Sequence, residues 1–206
     1  GKSSFLRAGL LATAPPGWRT LVAAPGDRPF KSLAQALIPE LSGDPEGLEL
    51  LLRIEEPDTA VAAFSRWRQR HDQGLLVLDQ FEELFTQNPP AVQTAFAALT
   101  GRLALEADVH VLLTLRDDFL FHCHAHEPLL PILSDLTLLG PPTGAALRRA
   151  LVQPALKCGY RFEDEALVDT MLAEVESERG ALPLLAFAAA QLWQRRDRER
   201  GMLTHE

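Results

Sequence analysis

Along most of the chain apolar residues recur at helical spacing, and three short apolar runs break that rhythm. Residues 20–24 (Thr-Leu-Val-Ala-Ala) end at Pro25-Gly26, residues 75–78 are Leu-Leu-Val-Leu, and residues 109–115 are Val-His-Val-Leu-Leu-Thr-Leu. A run without polar alternation is expected where a strand is covered by helices on both faces. Between these runs the spacing is helical. Residues 4–12 carry Phe5, Leu6, Leu10 and Leu11 on one face and stop at Pro15-Pro16-Gly17. Residues 30–41 repeat through Phe30, Leu33, Leu37 and Leu41, with Pro39 bending or ending the helix. Residues 57–70 present Val61, Phe64 and Trp67, with Asp58 as a plausible cap, and a further helix spans about 92–105. Strands alternating with helices predict an α/β fold with a parallel sheet. Residues 136–139 (Leu-Thr-Leu-Leu) read as its last strand. After Gly140-Pro141-Pro142 only helical patterns remain, over 145–156, 164–175 and 182–195. The expected organisation is therefore an α/β core over 1–139 and a small all-helical domain over 140–206.

Composition narrows the partners more than the fold. With 47% hydrophobic and 23% charged residues among 206, and no run approaching twenty apolar residues, no membrane span is expected. A formal net charge of −8 opposes non-specific attraction to nucleic acid or an anionic membrane surface. Only two cysteines, Cys123 and Cys158, lie far apart, which argues against a disulfide framework and suits a reducing, cytoplasmic setting.

Candidate chemistry gathers at the ends of the predicted strands, where open parallel sheets deliver ligand-binding groups. Gly1-Lys2-Ser3-Ser4 is the second half of G-x-x-x-x-G-K-[ST], in which the Lys meets the β and γ phosphates and the following hydroxyl ligates Mg²⁺. Asp79 ends the apolar run 75–78 with a carboxylate suited to the same ion. Either feature alone is commonplace, but together, in this order and separation, they point to a nucleotide and magnesium. The strand and first glycines of such a loop would precede Gly1, so the chain is expected to be part of a longer protein.

Glu82 and Glu83 lie three and four residues after Asp79, and a helical turn there would bring one of them back toward the metal as a base for water. Many P-loop ATPases place that base directly after the Asp, where this chain has Gln80. Arg116 follows the third apolar run and either reads a γ-phosphate or pairs with Asp117 or Asp118. His122-Cys123-His124-Ala125-His126 contains zinc-ligating residue types, but consecutive helical residues diverge and no second ligand cluster accompanies it.

Gly1-Lys2-Ser3-Ser4, LLVLDQFEELF (75–85), LLTLRDDF (112–119) and GALPLL (180–185) together resemble a STAND-class signalling ATPase. The likeness is strongest to the group called novel STAND NTPase 1, related to NACHT and NB-ARC domains, and it spans nearly the whole chain. The resemblance implies a P-loop core of the additional-strand class, here lacking its first strand, followed by a helical lid. It assigns Lys2 to phosphate, Ser3 and Asp79 to magnesium, Arg116 to sensing the γ-phosphate and Pro183 to packing near adenine. It also implies ATP and ADP as alternating ligands, slow hydrolysis, self-association, and sensor (often WD-repeat) and effector domains in the same polypeptide. The absent strand would lie between the 109–115 and 136–139 strands, leaving two unpaired edges and a segment that folds poorly alone. The competing expectations are a motor-like AAA+ or DNA-handling ATPase and a scaffold that binds nucleotide without hydrolysing it.

Overall fold

The computed structural model describes residues 2–140, 142–175 and 181–204. They form a mixed α/β structure that divides into two compact units, Lys2–Thr137 and Leu138 onward.

In the first unit a three-stranded sheet is built from β1 (Trp18–Ala23), β2 (Gln73–Leu78) and β3 (His110–Leu113), in that spatial order. All pairs are parallel: Trp18 stands opposite Gln73 and Leu75 opposite His110. The absence of alternation in β2 has the anticipated cause. Leu76 and Leu78 face a large core with Leu33, Leu37, Phe64, Trp67 and Phe96, while Leu75 and Val77 face a second cluster with Leu6, flanked by Leu10 and Leu11. Both sides of the strand are thus removed from water.

The larger core is supplied by α2 (Pro29–Leu37), α4 (Pro57–Arg68) and α6 (Pro90–Glu106), each opening with proline in its first turn, where a missing N–H costs nothing. The other face is covered by α1 (Lys2–Phe5), which continues as a wider π-helical segment over Leu6–Leu10 and a tight turn over Leu11–Thr13. Of the apolar face expected there only Leu6 is buried, and Phe5 is 55% exposed. A short helix, α3 (Pro45–Leu50), escaped the periodicity reading. Asp44-Pro45 is its cap and first residue, and the Asp44 carboxylate accepts the Gly47 N–H at 3.0 Å. Conversely, Asp58 does not cap α4. Glu56 holds that position, and Asp58 instead reaches Arg102 of α6 at 2.8 Å.

After β2 come α5 (Glu83–Gln87) and α6, and after β3 the short helices α7 (Leu120–His124) and α8 (Leu130–Leu133). Gly101 of α6 lies so close to the 127–129 turn that an added Cβ would sit 2.2 Å from the Pro128 carbonyl oxygen.

The expectation of a strand over 136–139 is not met. Those residues have no ladder partner, and Leu136, Leu138 and Leu139 are 44%, 77% and 50% exposed. An apolar run becomes a strand only when a neighbouring strand takes its backbone hydrogen bonds, and among the described residues β3 has no neighbour on its outer side.

The second unit contains α9 (Gly144–Lys157), α10 (Glu165–Val175) and α11 (Ala181–Arg195) around Leu147, Leu151, Val168, Met171 and Leu185. It is not all-helical. β4 (Arg161–Phe162) and β5 (Met202–Leu203) pair in parallel, with Arg161 opposite Met202. Two-residue strands are too short to show a period, so no pattern announced them.

Candidate functional site at the carboxyl ends of the strands

Three parallel strands deliver their carboxyl ends to one side, and the first polar side chains beyond β2 and β3 are Asp79 and Thr114. Asp79 is 4% exposed. Its N–H continues the ladder to the Ala23 carbonyl at 2.8 Å. Its Oδ1 accepts two hydrogen bonds, from the Thr114 hydroxyl at 2.5 Å and the Gln80 N–H at 3.1 Å. Oδ2 makes no hydrogen bond among the described residues. A buried carboxylate with one oxygen held and the other open is suited to a cation or its water.

The helical turn after Asp79 that would return both glutamates to one side is not formed. Gln80 adopts left-handed backbone, with φ of 56°, and helical structure resumes only at Glu83. The turn is pinned twice from the end of β3: the Gln80 N–H also donates to the Thr114 hydroxyl at 3.1 Å, and the Phe81 N–H donates to the Thr114 carbonyl at 2.8 Å. Phe81 is fully buried against Phe85 and Phe96.

This reversal separates the two glutamates. Glu82 Oε1 lies 3.8 Å from the Lys2 ammonium, and its side chain is only 14% exposed. Its Oε2 is buried without a hydrogen-bond partner among the described residues. Glu83 points elsewhere, accepting the Gly26 N–H at 3.2 Å. Asn88 donates to the Gly26 carbonyl at 2.7 Å, so together they fasten the loop after β1. Lys2 itself is half-buried at the start of α1. Ser3 and Ser4 make no side-chain hydrogen bond among the described residues, and Gly1 lies outside them.

Arg116 resolves to the pairing alternative in this conformation. It grips Asp118 with two parallel bonds of 3.0 and 2.9 Å, and its guanidinium lies 5.9 Å from the centre of the Phe119 ring. Asp117 is not its partner. Both members of the pair are more than half exposed, so solvent screens the attraction and the Arg can exchange one anion for another at little cost. Pro183 is the third residue of α11 in the second unit, and Gly180 of the same sequence string lies outside the described residues.

The His-Cys segment is packed rather than poised as a ligand set. Cys123 is buried in the main core, and that burial pushes its thiol up to about 12. The His122 and His126 rings lie 5.6 and 5.7 Å from the Phe85 ring.

Among the described residues no three of His, Cys, Asp and Glu gather into a cage. Magnesium does not need one, because it keeps most of its waters and takes one or two carboxylates beside phosphate oxygens. The open oxygen of Asp79 and the orphaned buried oxygen of Glu82 are hard donors of the right kind.

Thr114 was missed in the sequence because it stands inside an apolar run. Its signal was being the only hydroxyl between Val109 and Arg116, at the end of a buried strand.

A mixed α/β unit with a short parallel sheet, with Asp79 buried at the end of β2 and Lys2 brought to Glu82, is an architecture compatible with an NTPase domain. Its family follows from comparison: the profile described as Novel STAND NTPase 1 matches residues 1–206, and the chain belongs to that family. It is thus a member of a family of NTPases. Comparisons with curated proteins and with solved structures give no match. Among the described residues no helix is long and apolar enough to cross a membrane.

Proposed function

We propose that this chain is the ATP-binding, slowly hydrolysing switch of a larger signalling protein, with 1–139 as its P-loop core and 140–206 as a lid. The observation that carries the reading is the 3.8 Å approach of Lys2 to Glu82. It joins the end of the phosphate-loop motif to the acidic strand end, two stretches nearly eighty residues apart in sequence. Lys2 would exchange Glu82 for the β and γ phosphates, with the helix N-terminus adding its partial positive charge. Ser3 and Asp79 would hold Mg²⁺, which when bound neutralises phosphate charge and orients the terminal group. Glu82, released from Lys2, is the better placed of the two glutamates to accept a proton from water. Arg116 would trade Asp118 for the γ-phosphate, distinguishing ATP from ADP, and Pro183 would pack near adenine. Differential affinity of two conformations for ATP and ADP then shifts the population toward an oligomerising, effector-activating state.

Gln80 favours a second reading, a nucleotide-held scaffold with negligible hydrolysis. A carboxamide cannot serve as a base, and this one stands where many P-loop ATPases carry glutamate.

The first experiment is to purify the full-length protein and its Lys2→Ala variant and identify the copurifying nucleotide by mass spectrometry. Retained ADP in the wild type, lost in the variant, is expected. A folded wild type carrying no nucleotide and binding none on addition would sink the proposal.

A further inference from the structure

We propose that Thr114 is a positioning residue that fixes which oxygen of Asp79 faces the metal and ties that carboxylate to the segment bearing Arg116. The inference rests on the nucleotide-and-magnesium reading of this site and goes beyond it, because no role has so far fallen to Thr114.

Three observations carry it. First, the Thr114 hydroxyl donates to Asp79 Oδ1 at 2.5 Å, at the short end for an O–H to carboxylate bond. With the Gln80 N–H on the same oxygen, Oδ1 is engaged and Oδ2 is the one left for a cation. Secondly, the same hydroxyl accepts the Gln80 N–H at 3.1 Å, so its donor and acceptor capacities are both used at the turn. A hydroxyl is required for this; an isosteric methyl can do neither. Thirdly, Thr114 is held by backbone bonds in both directions, its N–H to the Leu78 carbonyl at 3.0 Å and its carbonyl from the Phe81 N–H at 2.8 Å. The end of β3 therefore moves with the 79–81 turn. Arg116 lies two residues further along, so a displacement of Arg116 toward a different anion is passed through Thr114 to the carboxylate.

Serine preserves the hydroxyl and valine preserves the shape. The test compares Thr114→Ser and Thr114→Val in the full-length protein by two measurements: binding of fluorescent ADP in EDTA, and binding of Mn²⁺ to the ADP complex by electron paramagnetic resonance. Orienting partners of metal ligands typically contribute about 10- to 100-fold in metal affinity. Thr114→Val is expected to weaken Mn²⁺ binding at least tenfold while changing ADP binding in EDTA by less than about threefold, and Thr114→Ser to retain wild-type Mn²⁺ affinity. Should Thr114→Val not fold, Thr114→Cys, whose thiol is only a weak donor, is expected to show the same selective loss in smaller measure. Unchanged Mn²⁺ affinity in a folded Val or Cys variant overturns the role of Thr114 and leaves the nucleotide site standing. Equal losses in the Ser and Val variants overturn it too, since the hydroxyl would then be irrelevant. No ADP binding by folded wild type overturns the underlying reading itself.

Discussion

Glu82 and Glu83 are neighbours with the same chemistry, yet the left-handed backbone at Gln80 sends one to Lys2 and the other to the loop after β1. Their substitutions should therefore differ in kind. Glu82→Gln is expected to lower single-turnover ATP hydrolysis by about 100-fold, the smaller end of what a positioned base contributes. Glu83→Ala should leave hydrolysis within about threefold and instead loosen the Gly26 loop, since it removes the acceptor of that loop's backbone N–H. Measurable hydrolysis that is equal in both variants and the wild type would remove both glutamates as the base. At this scale the burial of Asp79 at a strand end and the meeting of Lys2 with one of the following acids were legible in the sequence, because an apolar run closed by aspartate and a lysine opening a helix are recognisable patterns. The sorting of the pair was not legible, because it depends on one backbone angle. Thr114 was hidden for a related reason: its importance comes from a partner 35 positions away in sequence.

Among the elements, Asp44 shows how one carboxylate organises several. It caps α3 through Gly47 and receives Arg66 from the last turn of α4 and Arg70 just beyond it, with Arg66 Nη2 at 2.8 Å and Arg70 at 2.6 Å. The Arg66 guanidinium, and after it the Gly47 N–H, hold the Asp44 carboxyl at about 2, well below its ordinary value. An aspartate in an unfolded chain titrates near about 3.9. The stabilisation is therefore fully present above that pH and drains away as pH falls through about 2. Urea unfolding of Asp44→Asn should show lower stability at pH 7, a shallower decline between pH 4 and 2, and convergence with wild type at the acid end. A constant difference across that range would contradict the assignment. The Asp44-Pro45 start of α3 was readable in principle, as cap followed by first-turn proline. Strand β2 was readable because burial on both faces removes alternation, whereas β1 and β3, only partly buried, were readable from their short apolar runs and, for β1, from the Pro25-Gly26 stop. Residues 136–139 carry the same apolar signal and form no strand, since strand formation belongs to a pair of segments rather than to one.

Over the whole molecule, the clusters on the two faces of the sheet serve the first unit and a separate cluster serves the second, and each unit should respond to damage in its own interior. Leu151, 5% exposed, lies in the core shared by α9, α10 and α11. Leu151→Ala is expected to cost about 2–5 kcal/mol in that unit. Hydrogen exchange should accelerate across 144–175 and 181–203 while the amides of β1, β2 and β3 keep their protection. Simultaneous acceleration of both units would mean that they open as one. The helical character of the second unit was evident from spacing, whereas its β4–β5 pairing, two residues on each side, lies below the length at which any pattern can show.

The parallel register of the sheet also governs how the chain is made. Trp18 cannot find its partner until Gln73 has been synthesised, and Leu75 must wait in turn for His110. At the ~5–20 residues per second of translation, β1 is left without its neighbour for on the order of several seconds. During that interval its apolar residues are available to chaperones, or to other nascent chains, before they are available to the fold.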